Sequence, residues 1–415
     1  MPSKAEIIKA LQFAHVQAAI PMNTTGEARL KLTYQFAGAG QPGDAIWGYS
    51  GWTAFTETQK DAVRWALNQI ETFLNVDFVE VNNWGDPDFN FGRVDMDPGY
   101  AGEGGAMLSG ANEWDGQVVF NKDFDITGPY GMHVIMHEIG HMLGLDHPFS
   151  GAATLPDAYE NNHYTLMSYT DDPYSGGPNN SMQLFDLLAL QDIWGAVGNY
   201  TRDTTYTGRG VYDVRVVWDT GGTDTFSGAK STNGVRLDLG EGKFSKFGTY
   251  EDVVIAYGVR IENAVGGNYN DKIVGNGGRN QLEGKGGDDN IKGYSNRDDL
   301  RGGSGDDDLD GGRGSDRLFG NSGDDWIWGG YGDDKLWGGT GADTFVYRKD
   351  LGHDVVRDFA DDVDTLHFTG SGSKSVVLSK AYESGGHVFF DFGAGDVLEV
   401  RNTTLDALAN DMTFA

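Results

Sequence analysis

Residues 266–346 read GGNYNDKIV GNGGRNQLE GKGGDDNIK GYSNRDDLR GGSGDDDLD GGRGSDRLF GNSGDDWIW GGYGDDKLW GGTGADTFV, nine consecutive nonapeptides without an insertion. The eighth position is apolar in all nine (Ile273, Leu282, Ile291, Leu300, Leu309, Leu318, Ile327, Leu336, Phe345) and the sixth is Asp in eight, with Asn280 the exception. A fixed period of this kind marks stacked repeats. A Gly/Asp-rich linker would show neither the period nor the apolar eighth position. The glycines permit positive-φ turns that gather carbonyl oxygens around an ion, the Asp supplies charge, and a three-residue strand buries one side chain per repeat. Hard oxygen ligands suit Ca²⁺. One turn of the coil takes two repeats, so alternate repeats stack on the same side. Calcium ligation is expected first at Asp289, Asp307, Asp325 and Asp343, then at Asp316 and Asp334, and also at Asp271, which opens the first stack. Asn280 and Asp298, in the degenerate second and fourth repeats, are left aside.

The remaining composition bounds the reading. A chain of 415 residues suggests two domains, read as 1–200 and 201–415. With 39% hydrophobic and 12% aromatic residues it can fill real cores, and 63 Gly against 10 Pro without a triplet period excludes collagen. The formal net charge of −31, from 62 acidic and 31 basic residues, repels nucleic-acid phosphates and anionic membranes and attracts cations. Nucleic acid is therefore excluded as a partner, and no apolar run is long enough for a membrane span. Cys is absent, so neither disulfides nor thiolate chemistry are available. A secreted protein can use bound ions instead.

Residues 1–200 have a different grammar. Ser3 to Glu6 form a capping box opening an amphipathic helix with Ile7, Leu11 and Ala14 on one face. Leu32, Tyr34 and Phe36 alternate as in a strand, and strands are expected at 78–81 and 118–120. Thr56 to Gln59 cap a helix with the stripe Val63, Ala66, Leu67, Ile70 and Leu74, and two further helices are expected at about 130–143 and 182–194. Between Arg93 and Arg202 the only cation is Lys122, which suits a solvated acidic surface or a cleft for neutral or cationic substrates.

Within this half, His137-Glu138-Ile139-Gly140-His141-Met142-Leu143-Gly144-Leu145-Asp146-His147 fits HExxHxxGxxH. His137 and His141, four apart on a helix, share one face and suit one metal ion. Gly144 can end the helix and swing His147 back as a third ligand. Three imidazoles with an open position make a catalytic zinc site, and Glu138 can take a proton from the water that the metal activates. Downstream, Met167 in Thr165-Leu166-Met167-Ser168-Tyr169 would form an apolar floor beneath the imidazoles, and Tyr169 could reach the metal or a developing oxyanion. His133 and His163 fit no ligand spacing and read as ordinary, partly buried histidines.

On these residues the chain resembles the serralysins, secreted metzincin endopeptidases, over nearly its whole length. Pro148 after the third His, the Met167-Ser168-Tyr169 turn, the stretch from Leu184 to Gln191, the run from Trp218 to Phe226, Ile261 to Ala264 and the RTX-type nonapeptides carry the likeness. The resemblance implies an α+β metzincin protease domain of mixed sheet and helices, followed by an all-β parallel β-roll. It makes His137, His141 and His147 zinc ligands, Glu138 the general base, and Tyr169 a fifth ligand that swings away to stabilise the tetrahedral intermediate. It makes Asp219, Gly221, Asp224 and Glu262 calcium ligands leading into the roll, and Ala106, Met107 and Leu108 the edge strand on which substrate lies. Protein or peptide substrates, a monomeric extracellular enzyme with one Zn²⁺ and several Ca²⁺, the type I secretion apparatus and a periplasmic protease inhibitor complete that expectation. The export signal would be residues 405–415, in place of an N-terminal signal peptide. The loop between His147 and Met167 is shorter than usual in the family, and the segment from Arg202 to Thr205 matches a family calcium loop only loosely. The alternative reading is a calcium-dependent adhesion or surface-binding protein with a vestigial protease domain; a third is zinc hydrolysis of a non-peptide substrate.

Overall fold

The computed structural model of the chain describes residues 1–17, 21–43, 45–82, 86–109, 113–128, 130–150, 153–174, 179–198, 202–208, 214–349 and 352–415. They gather into two compact units, one of Met1–Tyr200, Val211–Thr220 and Ala256–Gly258, the other of Thr201–Gly210, Gly221–Ile255 and Val259–Ala415. The boundary expected between positions 200 and 201 lies outside the described residues.

The first unit is α+β. Strands β1 (Leu30–Phe36), β2 (Val76–Glu80), β3 (Phe89–Val94), β4 (Gly102–Ser109) and β5 (Glu113–Asn121) form a mixed sheet in the order β2-β1-β3-β5-β4. All neighbours run parallel except β4, which pairs antiparallel with β5 from Gly102↔Phe120 to Ser109↔Glu113 at the sheet edge. Interior parallel strands are covered on both faces, and accordingly Phe89, Phe91, Val118, Val119 and Phe120 are all buried. Four helices, α1 (Lys4–Leu11), α2 (Glu57–Ile70), α3 (Gly131–Met142) and α4 (Leu184–Trp194), complete the unit. Both expected capping boxes form, Ser3 with Glu6 and Thr56 with Gln59. Two helix ends differ from expectation. Ala14 is exposed beyond α1, because Gln12 turns extended (φ −107°, ψ 138°) and bridges Leu145. Leu74 is buried, but past the end of α2, where it bridges Ala196. Helix α3 is buried nearly all round and is the unit's central helix.

The second unit is an all-β parallel roll. Odd-numbered repeats supply strands such as Asn290–Lys292, Asp308–Arg313 and Trp326–Tyr331 to one sheet, and even-numbered repeats supply Gln281–Gly286, Asp299–Ser304 and Arg317–Ser322 to the other. The register advances by two repeats, Ile273↔Ile291 and Leu282↔Leu300, and every eighth-position side chain is buried between the sheets. Most of the repeat strands run longer than three residues, on into the next repeat. Left-handed backbone occupies positions two and four of the third to ninth repeats, and at Lys285, Tyr294, Asn296 and Asn321 it is adopted by residues other than Gly. The first two repeats lack it. Position one is Gly in all nine repeats for a different reason: a Cβ at Gly302 would lie 2.1 Å from Asp307 Oδ2, so the space belongs to the Asp of the same repeat. Residues 412–414, within the expected export signal, form a strand paired with 366–368.

Candidate active site

Helix α3 can lie against β4 because two strand glycines leave room. A Cβ at Gly104 would sit 2.1 Å from the Glu138 carbonyl oxygen, and one at Gly102 would sit 2.9 Å from Glu138 Cγ. One helical turn separates His137 from His141. At Gly144 the backbone goes left-handed (φ +107°) and the chain reverses to bring His147 back. The Nε2 atoms of His137 and His141 lie 3.3 and 3.1 Å from Nε2 of His147. Two outer nitrogens are already committed: His137 Nδ1 donates to the Leu166 carbonyl (3.0 Å) and His141 Nδ1 to the Leu145 carbonyl (2.8 Å). Carbonyls only accept, so both neutral rings carry their proton on Nδ1 and present a bare Nε2 lone pair. Burial lowers all three histidines, His137 to about 4, which keeps them neutral as metal ligation requires. Three facing Nε2 atoms, two of them on rings whose outer hydrogen bonds are fixed, fit a zinc ion.

Glu138 is 8% exposed, and burial pushes its carboxyl up to about 8 against the hydrogen bond from the Gly104 N–H. Tyr169 is 71% exposed, with its ring 4.7 Å from that of His147 and 5.8 Å from that of His137. Partial burial and the nearby Glu138 raise its phenol above the ordinary value. These groups line a cleft of about 690 Å³. Met167 is fully buried beneath α3, and its Sδ lies 2.7 Å from where a Gly140 Cβ would be, so Gly140 is the gap that admits the floor. The turn is locked by Asp186 of α4, whose carboxylate accepts from Thr165 Oγ1 (2.6 Å), Leu166 N (2.7 Å) and Gln183 N (2.8 Å). Burial raises Asp186 to about 6 despite these donors.

The cleft wall contributed by β4 is Gly102, Glu103 and Gly104. Ala106, Met107 and Leu108 continue the same edge strand outside it, with Met107 exposed. Sequence reasoning did not single out Phe13, Tyr49 or Glu103 as cleft residues, or Asp186 as the lock. For Asp186 a signal existed, the Gln183–Asp186 capping box of α4. His133 is buried and donates from Nδ1 to the Asn179 carbonyl, and His163 pairs with Asp172 at 3.1 Å.

In the second unit the sixth-position aspartates build two ladders. Each Oδ1 accepts the backbone N–H found eighteen residues earlier: Asp289 from Asp271, Asp307 from Asp289, Asp325 from Asp307 and Asp343 from Asp325 on one side. On the other side Asp298 accepts from Asn280, Asp316 from Asp298 and Asp334 from Asp316. The second oxygen, Oδ2, of all seven acceptors is buried without a donor. Near Gly284, Asp289 Oδ2 and the Gly302 carbonyl lie 2.0 and 2.7 Å from where a Cβ would be, so two oxygens border the same space. Burial raises these carboxyls, Asp289 to about 7 and Asp298 to about 8. Buried oxygens of this kind fit a hard cation such as Ca²⁺. Asp271 stands apart: its two oxygens accept from Val235 N and Gly267 N. Asn280 likewise accepts from Asn276 N within its own repeat. Asp298, set aside on sequence, belongs with the open group. Ahead of the roll, the Asp224 N–H donates to Glu262 Oε2 (2.8 Å), Asp224 Oδ1 accepts from Thr204 N, and Asp203 Oδ1 accepts from Thr223 N. Asp219 is buried, and Gly221 lies in the turn before Asp224.

Comparison with known proteins places the chain in a family. The Matrixin family matches residues 46–176, and the family described as Peptidase M10 serralysin C terminal matches residues 189–400, just over half of the chain. Serralysin of Photorhabdus luminescens is 31% identical over 283 residues, covering 59% of this chain and 58% of that protein. Metallopeptidase AprA of Pseudomonas marginalis is 33% identical over 297 residues (60% and 61%), and Serralysin G of Dickeya chrysanthemi 30% over 280 residues (59% and 59%). The chain thus spans about three fifths of the length of these relatives. A solved structure, the extracellular lipase LipA from Serratia marcescens, aligns over 38% of this chain and 40% of that one at 18% identity with a TM-score of 0.20, too little to bear on the fold. With a matrixin-type stretch over the histidine cluster and the serralysin C-terminal match over the roll, the chain belongs to the serralysin family of M10 peptidases.

Proposed function

We propose that the protein is a secreted zinc endopeptidase that hydrolyses peptide bonds in the α3–β4 cleft and whose roll is held together by calcium. The observation that carries this reading is the convergence of three Nε2 atoms beside a buried carboxylate, at the open edge of a sheet. His137, His141 and His147 would hold the ion. Bound there, zinc supplies Lewis acidity, polarising the scissile carbonyl and lowering the pKa of water from 15.7 toward ~7. The remaining work falls to side chains. The β4 edge pairs with the backbone of an extended peptide, as strand-adding peptides do elsewhere. Glu138 takes a proton from the attacking water and delivers it to the leaving amine, so water and one peptide bond become a carboxylate and an amine. The Tyr169 hydroxyl donates to the oxyanion as it forms.

Residues 1–200 would be the catalytic domain and 201–415 the calcium-binding domain, with residues 405–415 read by a type I secretion apparatus. Calcium would occupy the open sites at Asp289, Asp298, Asp307, Asp316, Asp325, Asp334 and Asp343, and a separate site drawing on Asp219, Gly221, Asp224 and Glu262. The test is digestion of a peptide mixture by the full chain loaded with zinc and calcium, with cleavage products identified by mass spectrometry. Cleavage should stop with a zinc-selective chelator, return with zinc, and be absent in Glu138→Ala. A zinc-loaded chain that cuts nothing would leave the adhesion reading in its place.

A further inference from the structure

The loop that returns the third histidine is held by the other end of the first unit. Past Leu11 the chain runs extended and bridges Leu145 in antiparallel sense through Gln12. Asp146 N–H donates to the Leu11 carbonyl (2.8 Å), and Phe13 N–H donates to the Gly144 carbonyl (3.2 Å). The Gln12 side chain is 3% exposed and is anchored on α4, its Nε2 donating to the Ala189 carbonyl (2.9 Å) and to Asp192 Oδ2 (3.0 Å). The bridged segment sits between two of the three histidines. The Leu145 carbonyl takes the Nδ1 proton of His141, and Asp146 Oδ1 accepts from the His147 N–H (2.8 Å). The Phe13 ring lies 5.9 Å from that of His141 and forms part of the cleft wall.

From these contacts we infer that Gln12 and Phe13 are positioning residues for the metal centre, a strap that fixes residues 144–146 and through them the orientation of His141 and the return of His147. The inference rests on the zinc reading above. Residues 144–146 belong to no helix or strand, so their geometry depends on what they are bonded to. The strap fills that need: it supplies the acceptor for Asp146 N–H and the donor for the Gly144 carbonyl, and Gln12 ties it to α4. Groups that orient a metal ligand through its outer hydrogen bond typically alter metal affinity about 10–100-fold when removed.

The experiment uses the full chain with Gln12→Ala and Gln12→Met. Zinc affinity is measured by competition with a chelator, and the visible spectrum is recorded with Co²⁺ in place of zinc. Gln12→Ala is expected to bind zinc about 10–100-fold more weakly, to shift the Co²⁺ bands, and to lower kcat with KM nearly unchanged. Gln12→Met keeps the bulk and loses the donor, so it should behave like Gln12→Ala even if the alanine variant folds poorly. Wild-type affinity and spectrum in both Gln12 variants would overturn the strap while leaving the peptidase reading intact. A wild-type chain that binds no zinc would instead remove the peptidase reading, and the strap's role with it.

Discussion

In the mechanism proposed above the chemistry turns on Glu138, the one carboxylate of α3, buried and adjacent in sequence to His137. Glu138→Gln keeps the size and the three histidines but removes the proton acceptor. Zinc content should be unchanged while peptide hydrolysis falls by about 10²–10⁴, the usual contribution of a general base; metal analysis beside a single-turnover assay separates the two. Tyr169 has a narrower task. Its ring lies beside those of His137 and His147 and the residue is largely exposed, so the proposal gives it a task at the oxyanion and not in holding the ground-state substrate. Tyr169→Phe should lower kcat by about 10²–10³, the scale of a lost oxyanion donor, with KM little changed. Unchanged kcat with a raised KM would make it a substrate-binding residue.

At the scale of elements, the sequence spoke clearly where one residue's chemistry is enough. The spacing His137–His141, the two capping boxes and the apolar eighth positions all appear in the structure as local periodicity demands. What periodicity could not express was who fills the space beside a backbone. The glycines of β4 matter because α3 presses on them, and Asp186 matters because it reaches a turn twenty residues earlier. The open and closed repeats are a second case. Composition assigns left-handed turns to Gly, yet Lys285, Tyr294 and Asn321 adopt them while Gly267 and Gly278 do not. The position-two N–H bonds the sixth side chain only where the turn is not left-handed, as in Gly267 to Asp271. A further test follows from the first-position glycines. In Gly302→Ala the new Cβ would lie 2.1 Å from Asp307 Oδ2 on a backbone that is not left-handed, so the effect is steric. The roll should lose about 1–3 kcal/mol, the usual range for overpacking, and bind one Ca²⁺ fewer by calorimetric titration.

For the molecule as a whole, the balance of charge decides when the roll exists. Seven buried carboxylates with unpaired oxygens, in a chain of net charge −31, oppose their own assembly until a cation arrives. Chelation of the full chain should therefore abolish much of the far-UV strand signal, and Ca²⁺ titration should restore it. Full strand content in chelator would show that the roll needs no ion. Without calcium the pH dependence should run against the habit of acidic proteins. The ladder aspartates have raised pKa values when folded, about 6 for Asp307 and Asp343 and about 7 for Asp289, Asp316 and Asp325. Their protonated form is the one the fold tolerates. The stability they permit is fully present below about pH 4, near their unfolded value, and is lost as pH rises through 6 to 7. Calcium-free protein should accordingly melt higher at pH 5 than at pH 8, and saturating Ca²⁺ should reverse the order.

The ladders also give the roll a direction. In every rung the backbone N–H belongs to the earlier turn and the carboxylate to the later one, and the series runs on past the repeats, with Asp334 donating to Asp354 and Asp343 to Asp364. Each turn is thus finished by its successor. Within the aspartate ladders alone, losing an early turn leaves carboxylate oxygens unserved, whereas losing a late one leaves the buried N–H of the turn before it without its acceptor, a group seldom left unserved. The ladders' two ends are therefore unequal: each aspartate serves the turn before it, so removing Asp354 or Asp364 would unseat a buried N–H one turn back, at Asp334 or Asp343.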